Sequence, residues 1–428
     1  MISHYFKQSW RLLKENKFFS LVYIGGTALS ITMVMLILVT NDIKTSDYSP
    51  ETNRGRTLYV QWGYVADKKS QALGMSALIS RKVVDECYYS LTTPEAVTAM
   101  IPFENVSLGE AAGAKWVNSD ALYTDATFWR VFSFHFIAGH PYDEAEFQSG
   151  LYKAVLSEKV ARSIFGTSDV VGRTVEIDRV PFDVCGVVKD VPTYAESAFA
   201  GVWIPYTIST RQNDGYDRDA IVGPFRICIM AYDSKDFDAI RQELDKTVAQ
   251  FNSVTEYGEY KLVGQPDDLL GRYLRRQNYN TVDVRGFVSK YILIICILLF
   301  VPALNISGLI VSGLNKRTAE VGVRKAFGAS RSELMKQVLT ENLIQMLLGG
   351  LLGLILSSAL IYMMSSFFLS SPTTAQYSSS ITPVKLWELV TPATIFYTIL
   401  ACFLLNLLSS FIPVWRAVRI SVVDAIKD

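Results

Sequence analysis

The sequence predicts an α-helical membrane protein with four transmembrane helices and a large extracytoplasmic α+β domain inserted between helices one and two. Three observations predict it. Four apolar runs, Phe18–Val39, Tyr291–Leu314, Leu343–Leu369 and about Pro392–Ile412, carry no charged side chain. Each has the ~20 residues of helix that cross a bilayer. The stretch between the first two runs alternates strand-like and helical patterns. Lys and Arg gather beside particular ends of the apolar runs, as the positive-inside rule requires. The resulting division is 1–17 cytoplasmic amphipathic helix, 18–40 first span, 41–288 outer domain and 289–314 second span. Then follow 315–341 cytoplasmic loop, 342–369 third span, 370–390 short outer loop, 391–413 fourth span and 414–428 tail.

The composition agrees. Charged residues make up 19% of the 428 residues, below the roughly 25% of soluble domains. Formal net charge is zero, so nothing in the whole chain calls for a nucleic-acid partner. The first run is read as a retained anchor. It exceeds the ~7–15 apolar residues of a signal peptide, and Thr40-Asn-Asp-Ile-Lys44 is no small-residue cleavage site.

Orientation follows from the basic residues. Lys7, Arg11, Lys14 and Lys17 precede the first span. Lys316, Arg317, Arg324, Lys325, Arg331 and Lys336 lie between the second and third, and Arg416, Arg419 and Lys427 follow the fourth. The loop between spans three and four has only Lys385. Both termini are therefore expected in the cytoplasm. Arg285 and Lys290 run against this, but long translocated domains override such charges. In the leader, Ile2, Tyr5, Phe6, Ser9, Leu12 and Leu13 oppose Lys7, Arg11 and Lys14 at helical spacing, a pattern suited to the lipid interface.

The outer domain is long enough for its own core and for two subdomains. Strands are expected at Leu58–Trp62, Lys153–Leu156, Thr174–Ile177, Phe182–Val188, Val202–Ile204 and Arg226–Met230. Helices are expected at Ser157–Phe165 and Asp236–Phe251, the latter with Phe237, Ile240, Leu244, Val248 and Phe251 on one face. Cys87, Cys185 and Cys228 are an odd set without C-x-x-C spacing; Cys185 and Cys228 fall in strand-like runs, where small buried hydrophobes are common, and a disulfide among the three is left open. His135 and His140 lack the partners of a metal site. Gly166 to Thr174 imitates a phosphate-binding loop, but five residues separate Gly166 from Gly172 and Arg173 replaces the required lysine. No cofactor is expected on this chain and no enzymatic activity. Only seventeen residues precede the first span, so ATP and Mg would act through a separate subunit.

The cytoplasmic loop is the most informative stretch. Glu320 and Arg324 are spaced for a favourable helix-face pair. Gly328 can end that helix. Ser330-Arg-Ser-Glu333 matches a capping box that restarts a helix running into the third span. The product is a short charged lever joined to a membrane helix. Within the third span, Gly349 and Gly353 form a small-xxx-small pattern suited to close helix packing or a dimer interface. In the second, Asn305 serves either as a gate or as an interhelical hydrogen bond. Four helices are few for an enclosed pathway, so a dimer is expected.

Taken in order, these features resemble the MacB/FtsX-type permeases of ABC systems. Three stretches carry the resemblance over nearly the whole chain: Glu320 to Arg331 with Glu341-Asn342, Tyr123 to Ile177 in the outer domain, and Pro413 to Ile426. The resemblance implies that Glu320, Val321, Gly322, Val323, Arg324, Lys325, Ala326, Gly328, Ala329 and Ser330 touch a cytoplasmic ABC ATPase. It implies a bacterial inner-membrane location, a periplasmic core domain and a second permease copy or paralogue. Some members also work with a periplasmic adaptor and an outer-membrane channel. MacB itself carries a fused ATPase, so this chain resembles the stand-alone permeases. The resemblance leaves three tasks open: export or efflux, lipoprotein release, and mechanical control of a periplasmic enzyme or signalling partner.

Overall fold

A computed structural model describes residues 17–110, 113, 115–275, 282–294, 296–297, 331–363, 392, 394–400 and 403–404. The leader 1–16 and the lever 316–330 therefore lie outside the described residues, as do most of the second and fourth apolar runs. The chain divides into two units. One takes in the apolar helices, and the other is built on Ile43–Val284.

The first helix, α1 (Lys17–Thr45), contains an apolar stretch, Ser20–Asp42, long enough to cross a membrane. Among the described residues the outer unit then contributes thirteen strands. They are β1 (Thr57–Val60), β2 (Gly63–Asp67), β3 (Leu73–Ile79), β4 (Ala96–Gly109), β5 (Trp116–Thr124), β6 (Phe136–Gly139) and β7 (Lys153–Ser157), followed by β8 (Thr174–Ile177), β9 (Val180–Val188), β10 (Val202–Pro205), β11 (Val222–Gly223), β12 (Arg226–Met230) and β13 (Gly258–Lys261). Its helices are α2 (Arg81–Val83), α3 (Phe128–Val131), α4 (Glu144–Gln148), α5 (Glu158–Phe165), α6 (Phe237–Val254) and α7 (Leu269–Leu274). A long helix, α8 (Arg331–Met363), belongs to the membrane unit. The expected cap, Ser330, lies outside the described residues.

The larger sheet runs β1-β12-β4-β5-β10-β7-β9-β6, with β8 pairing β4 and β9. It is mixed: β5–β10 and β7–β9 are parallel, the remaining pairs antiparallel. Every residue of β10 and β12 is buried, which is why Val202–Ile204 and Ile227–Met230 read as continuous apolar runs rather than alternating ones. The smaller sheet runs β11-β3-β2-β13. The two sheets share one core, in which Ile79, Val222 and Tyr260 of the smaller join Ile227, Ile229 and Trp203 of the larger.

Local chemistry explains the helix ends. Ser157 caps α5 by accepting from the Val160 amide, and Gly166 ends it in the left-handed region at φ 74, where a side chain is strained. Gly172 takes φ 80 in the turn before β8. The glycines of the apparent phosphate loop are thus a helix stop and a turn. In α6, Ile240, Leu244, Val248 and Phe251 are buried along one face and Phe237 is partly buried. At the edge of this face, Glu243 accepts from the Thr92 amide at 2.8 Å, the Thr92 hydroxyl at 2.7 Å and the Thr93 amide at 3.0 Å.

Burial pushes the Glu243 carboxyl up, but the Thr92 and Thr93 donors together outweigh it and hold the carboxyl down to about 2. A depressed carboxylate stabilises the fold above its unfolded pKa, and that stability is lost as pH falls toward 2. Glu243→Gln should cost roughly 1 kcal/mol at pH 7. Chemical denaturation across pH should show the difference from wild type shrinking between about pH 5 and 2. A pH-independent difference would assign Glu243 no ionic role.

Candidate transmission site

The segment that follows α1 and the segment that precedes the helix at 284–294 come from opposite ends of the outer unit, yet they are fastened to each other. The Tyr59 amide donates to the Asp267 carbonyl at 2.8 Å, and the Asp267 amide returns a bond to Tyr59 at 2.9 Å. Gln265 Oε1 accepts from the Gln61 and Trp62 amides at 2.9 and 3.2 Å, while its Nε2 donates to the Trp62 carbonyl. Beyond the Tyr59–Asp267 bridge, side-chain bonds from Gln265 take the place of backbone pairing.

Asp268 caps the short helix α7 by accepting from the Gly271 amide at 2.7 Å. This turns Arg272 and Arg275 back onto the sheet. Arg275 grips Asp267 with two parallel bonds, Nε to Oδ2 and Nη2 to Oδ1 at 2.8 Å, and donates from Nη1 to the Val263 carbonyl. Both side chains are buried. Burial pushes the Asp267 carboxyl above its usual range, with Arg275 opposing, so the charged pair depends on the guanidinium staying in place. Arg272 stacks over the Tyr59 ring at 4.3 Å. Nearby, Arg54 stacks over Tyr48 at 4.3 Å and pairs with Glu51 at 2.8 Å. Glu51 in turn accepts from the Ser197 amide. The result is a clasp of buried polar contacts close to both ends of the outer unit.

In the membrane unit, α1 and α8 pack along a stripe of small residues. A methyl added at Gly353 would lie 2.8 Å from both the Ala28 carbonyl oxygen and Ile31 Cβ. One at Gly349 would lie 2.8 Å from Thr27 Cβ and 3.0 Å from the Ile24 carbonyl. Thr32 Oγ1 donates to the Ala28 carbonyl at 2.8 Å and reaches the Gly353 carbonyl at 3.2 Å. Ser357 Oγ donates to Met35 Sδ at 3.1 Å. The opposite faces expose Phe18, Leu21 and Leu29 on α1, and Leu347, Leu351 and Ile355 on α8, as lipid-facing surfaces do. Both glycines are thus occupied by packing within the chain, and the face that sequence reasoning offered to a dimer is covered by α1.

The expected ATPase-contacting residues Glu320, Val321, Gly322, Val323, Arg324, Lys325, Ala326, Gly328, Ala329 and Ser330 all lie outside the described residues. Cys87, Cys185 and Cys228 are buried free thiols, and burial pushes each of them up to about 12. His140 Nδ1 lies 2.9 Å from the Pro141 carbonyl oxygen. Sequence reasoning missed the clasp entirely. The one local signal was the cap Asp268 ahead of two arginines at Arg272 and Arg275.

Two described helices are long and apolar enough to cross a membrane and accompany an α+β unit; the family matches make this a membrane-embedded protein with a large extracytoplasmic domain. Residues 20–247 match the MacB-like periplasmic core domain, and residues 292–422 match the FtsX-like permease C-terminal family. The chain belongs to the MacB/FtsX-type ABC transporter permeases. It is 23% identical over 435 residues to the macrolide export ATP-binding/permease protein MacB of Burkholderia pseudomallei (strain 1710b), covering 98% of this chain and 59% of that protein. To the MacB protein of Salmonella typhi it is 22% identical over 371 residues, 84% of this chain and 53% of that one. The chain therefore spans little more than half the length of these relatives. Among solved structures, the periplasmic region of MacB from Actinobacillus actinomycetemcomitans aligns at 16% identity and a TM-score of 0.34, covering 49% of this chain and 89% of that one. The extracellular domain of the ABC-type transporter YknZ from Gram-positive bacteria aligns at 13% identity and a TM-score of 0.36, covering 48% of this chain and 99% of that one.

Proposed function

We propose that this chain is the permease subunit of an ABC-type export or efflux system and transmits the ATP-driven motion of a separate cytoplasmic ATPase to its outer domain. The observation that carries this reading is the clasp. Because Tyr59 and Asp267 join the two segments that lead into and out of the outer unit, helix movement on either side reaches the domain through one fastened base. Segments free of each other would dissipate it. In this reading the chain has four spans and both termini in the cytoplasm of a bacterial inner-membrane protein, and it pairs with a second permease copy. It binds no cofactor itself and is not an enzyme; ATP and Mg act in the partner subunit. The relatives' printed activity, macrolide export, favours export as the direction.

The lever 316–330 is the proposed docking element. Gly322→Trp and Arg324→Glu should leave membrane insertion and abundance near wild type, since the expected i,i+4 Glu320–Arg324 pair contributes only ~0.5 kcal/mol. Co-purification with the cognate ATPase, and stimulation of its turnover, should fall at least tenfold. If both variants bind and stimulate like wild type, the lever is not the coupling element.

A further inference from the structure

We propose that the cleft formed by β1, β12, β4, β5 and Arg272 of α7 binds a small oxyanion, a carboxylate or phosphate group, between the guanidiniums of Arg226 and Arg272. The cleft encloses about 50 Å³, room for one compact polar group and far below the several hundred Å³ of a drug-sized site. Its walls include Gln61, Asp120, Glu196 and Ser197 besides the two arginines.

Two buried cations at one small cleft are the feature that needs an explanation. Arg226 and Arg272 are each 8% exposed. Arg272 Nη1 is buried without a hydrogen-bond partner among the described residues. Its Nη2 stands 3.5 Å from Glu196, longer than the 2.7–2.9 Å or so of a charge-assisted bond. Burial holds the Arg226 guanidinium down to about 10, with Glu196 opposing and Arg272 adding to the depression. Burial also works against the Arg272 cation but is outweighed by Glu196 and then Glu51. Glu196 thus serves two guanidiniums and grips Arg272 loosely. A guanidinium edge with an unused N–H matches an oxyanion through parallel bonds. A bound oxyanion would satisfy Nη1. The carboxylates of Asp120 and Glu196 on the walls limit the charge accepted, which favours a monoanion.

The purified full-length chain in detergent tests this, titrated with sodium acetate and with sodium phosphate against sodium chloride at equal ionic strength. Thermal unfolding and titration calorimetry supply the readouts. One or both oxyanions should raise Tm saturably beyond chloride, and the more effective one names the ligand class. Arg272→Gln should weaken the midpoint at least tenfold. Glu196→Gln removes the internal competitor and should tighten it severalfold. That opposite sign keeps the test decisive even where Arg272→Gln fails to fold. The proposal is overturned if neither oxyanion exceeds chloride, if Arg272→Gln responds like wild type, or if Glu196→Gln binds no more tightly than wild type.

Discussion

Gly353→Leu should disrupt the membrane unit more than any other single substitution in it. The added Cβ would stand 2.8 Å from a backbone oxygen of α1 and 2.8 Å from Ile31 Cβ. Neither is the free end of a flexible side chain, so the helices themselves must separate. Separation also breaks the Thr32 contact to the Gly353 carbonyl and the Ser357 contact to Met35. Overpacking of this kind costs about 1–3 kcal/mol and sometimes more, and the lost hydrogen bonds add to it. Gly350→Ala is the matched control, because its added methyl would meet only Ile31 Cδ1 at 3.4 Å. Thermal unfolding in detergent should show a large drop for Gly353→Leu and little change for Gly350→Ala. Equal behaviour of the two would mean that the α1–α8 contact is not made through these glycines.

Arg275→Met should be the most costly change in the outer unit. It leaves Asp267 buried without its cation, a loss of about 3–5 kcal/mol. The pH dependence has a definite sign. Asp267 already has its carboxyl raised by burial, and removing Arg275 raises it further. A raised folded pKa gives stability that is present below the unfolded pKa of about 3.9 and is lost as pH rises through the folded one. The variant should therefore approach wild type at low pH and fall furthest behind at pH 8. Asp267→Asn combined with Arg275→Met should recover much of the loss, since no buried charge is then stranded. Denaturant titrations at pH 5 and 8 check all three statements. A double variant no better than Arg275→Met alone would show that the residues do not act as a pair.

Local pattern made part of this fold legible. Thr174–Ile177 and Arg226–Met230 read as strands with the bounds they have, because β-branched residues between turn signals need no distant information. The face of α6 was legible for the same reason. The long strand β4 was not, since Pro102 and Glu104 interrupt it. The structure absorbs them where the pairing with β5 shifts register between Ile101 and Glu104, at an irregularity that tolerates a missing donor. The clasp was illegible for a different reason. Its partners lie about two hundred residues apart, and Gln61, Gln265 and Arg275 carry no pattern until topology brings them together. Gly349 and Gly353 were recognised as close-approach residues, but sequence spacing does not say which helix approaches. The structure supplies α1.

Movement of the outer unit under ATP is the measurement closest to the central claim. Tyr232 is 68% exposed and takes a spin label as Tyr232→Cys. Cys296, the exposed cysteine among the described residues, and Cys402 are replaced beforehand. The buried Cys87, Cys185 and Cys228 remain. In a complex with the cognate ATPase in lipid nanodiscs, the distance between the labels of paired permease copies should change between the nucleotide-free and ATP-bound states. The change should vanish when Arg324→Glu uncouples the lever. An unchanged distance while the bound ATPase turns over would contradict transmission through this chain.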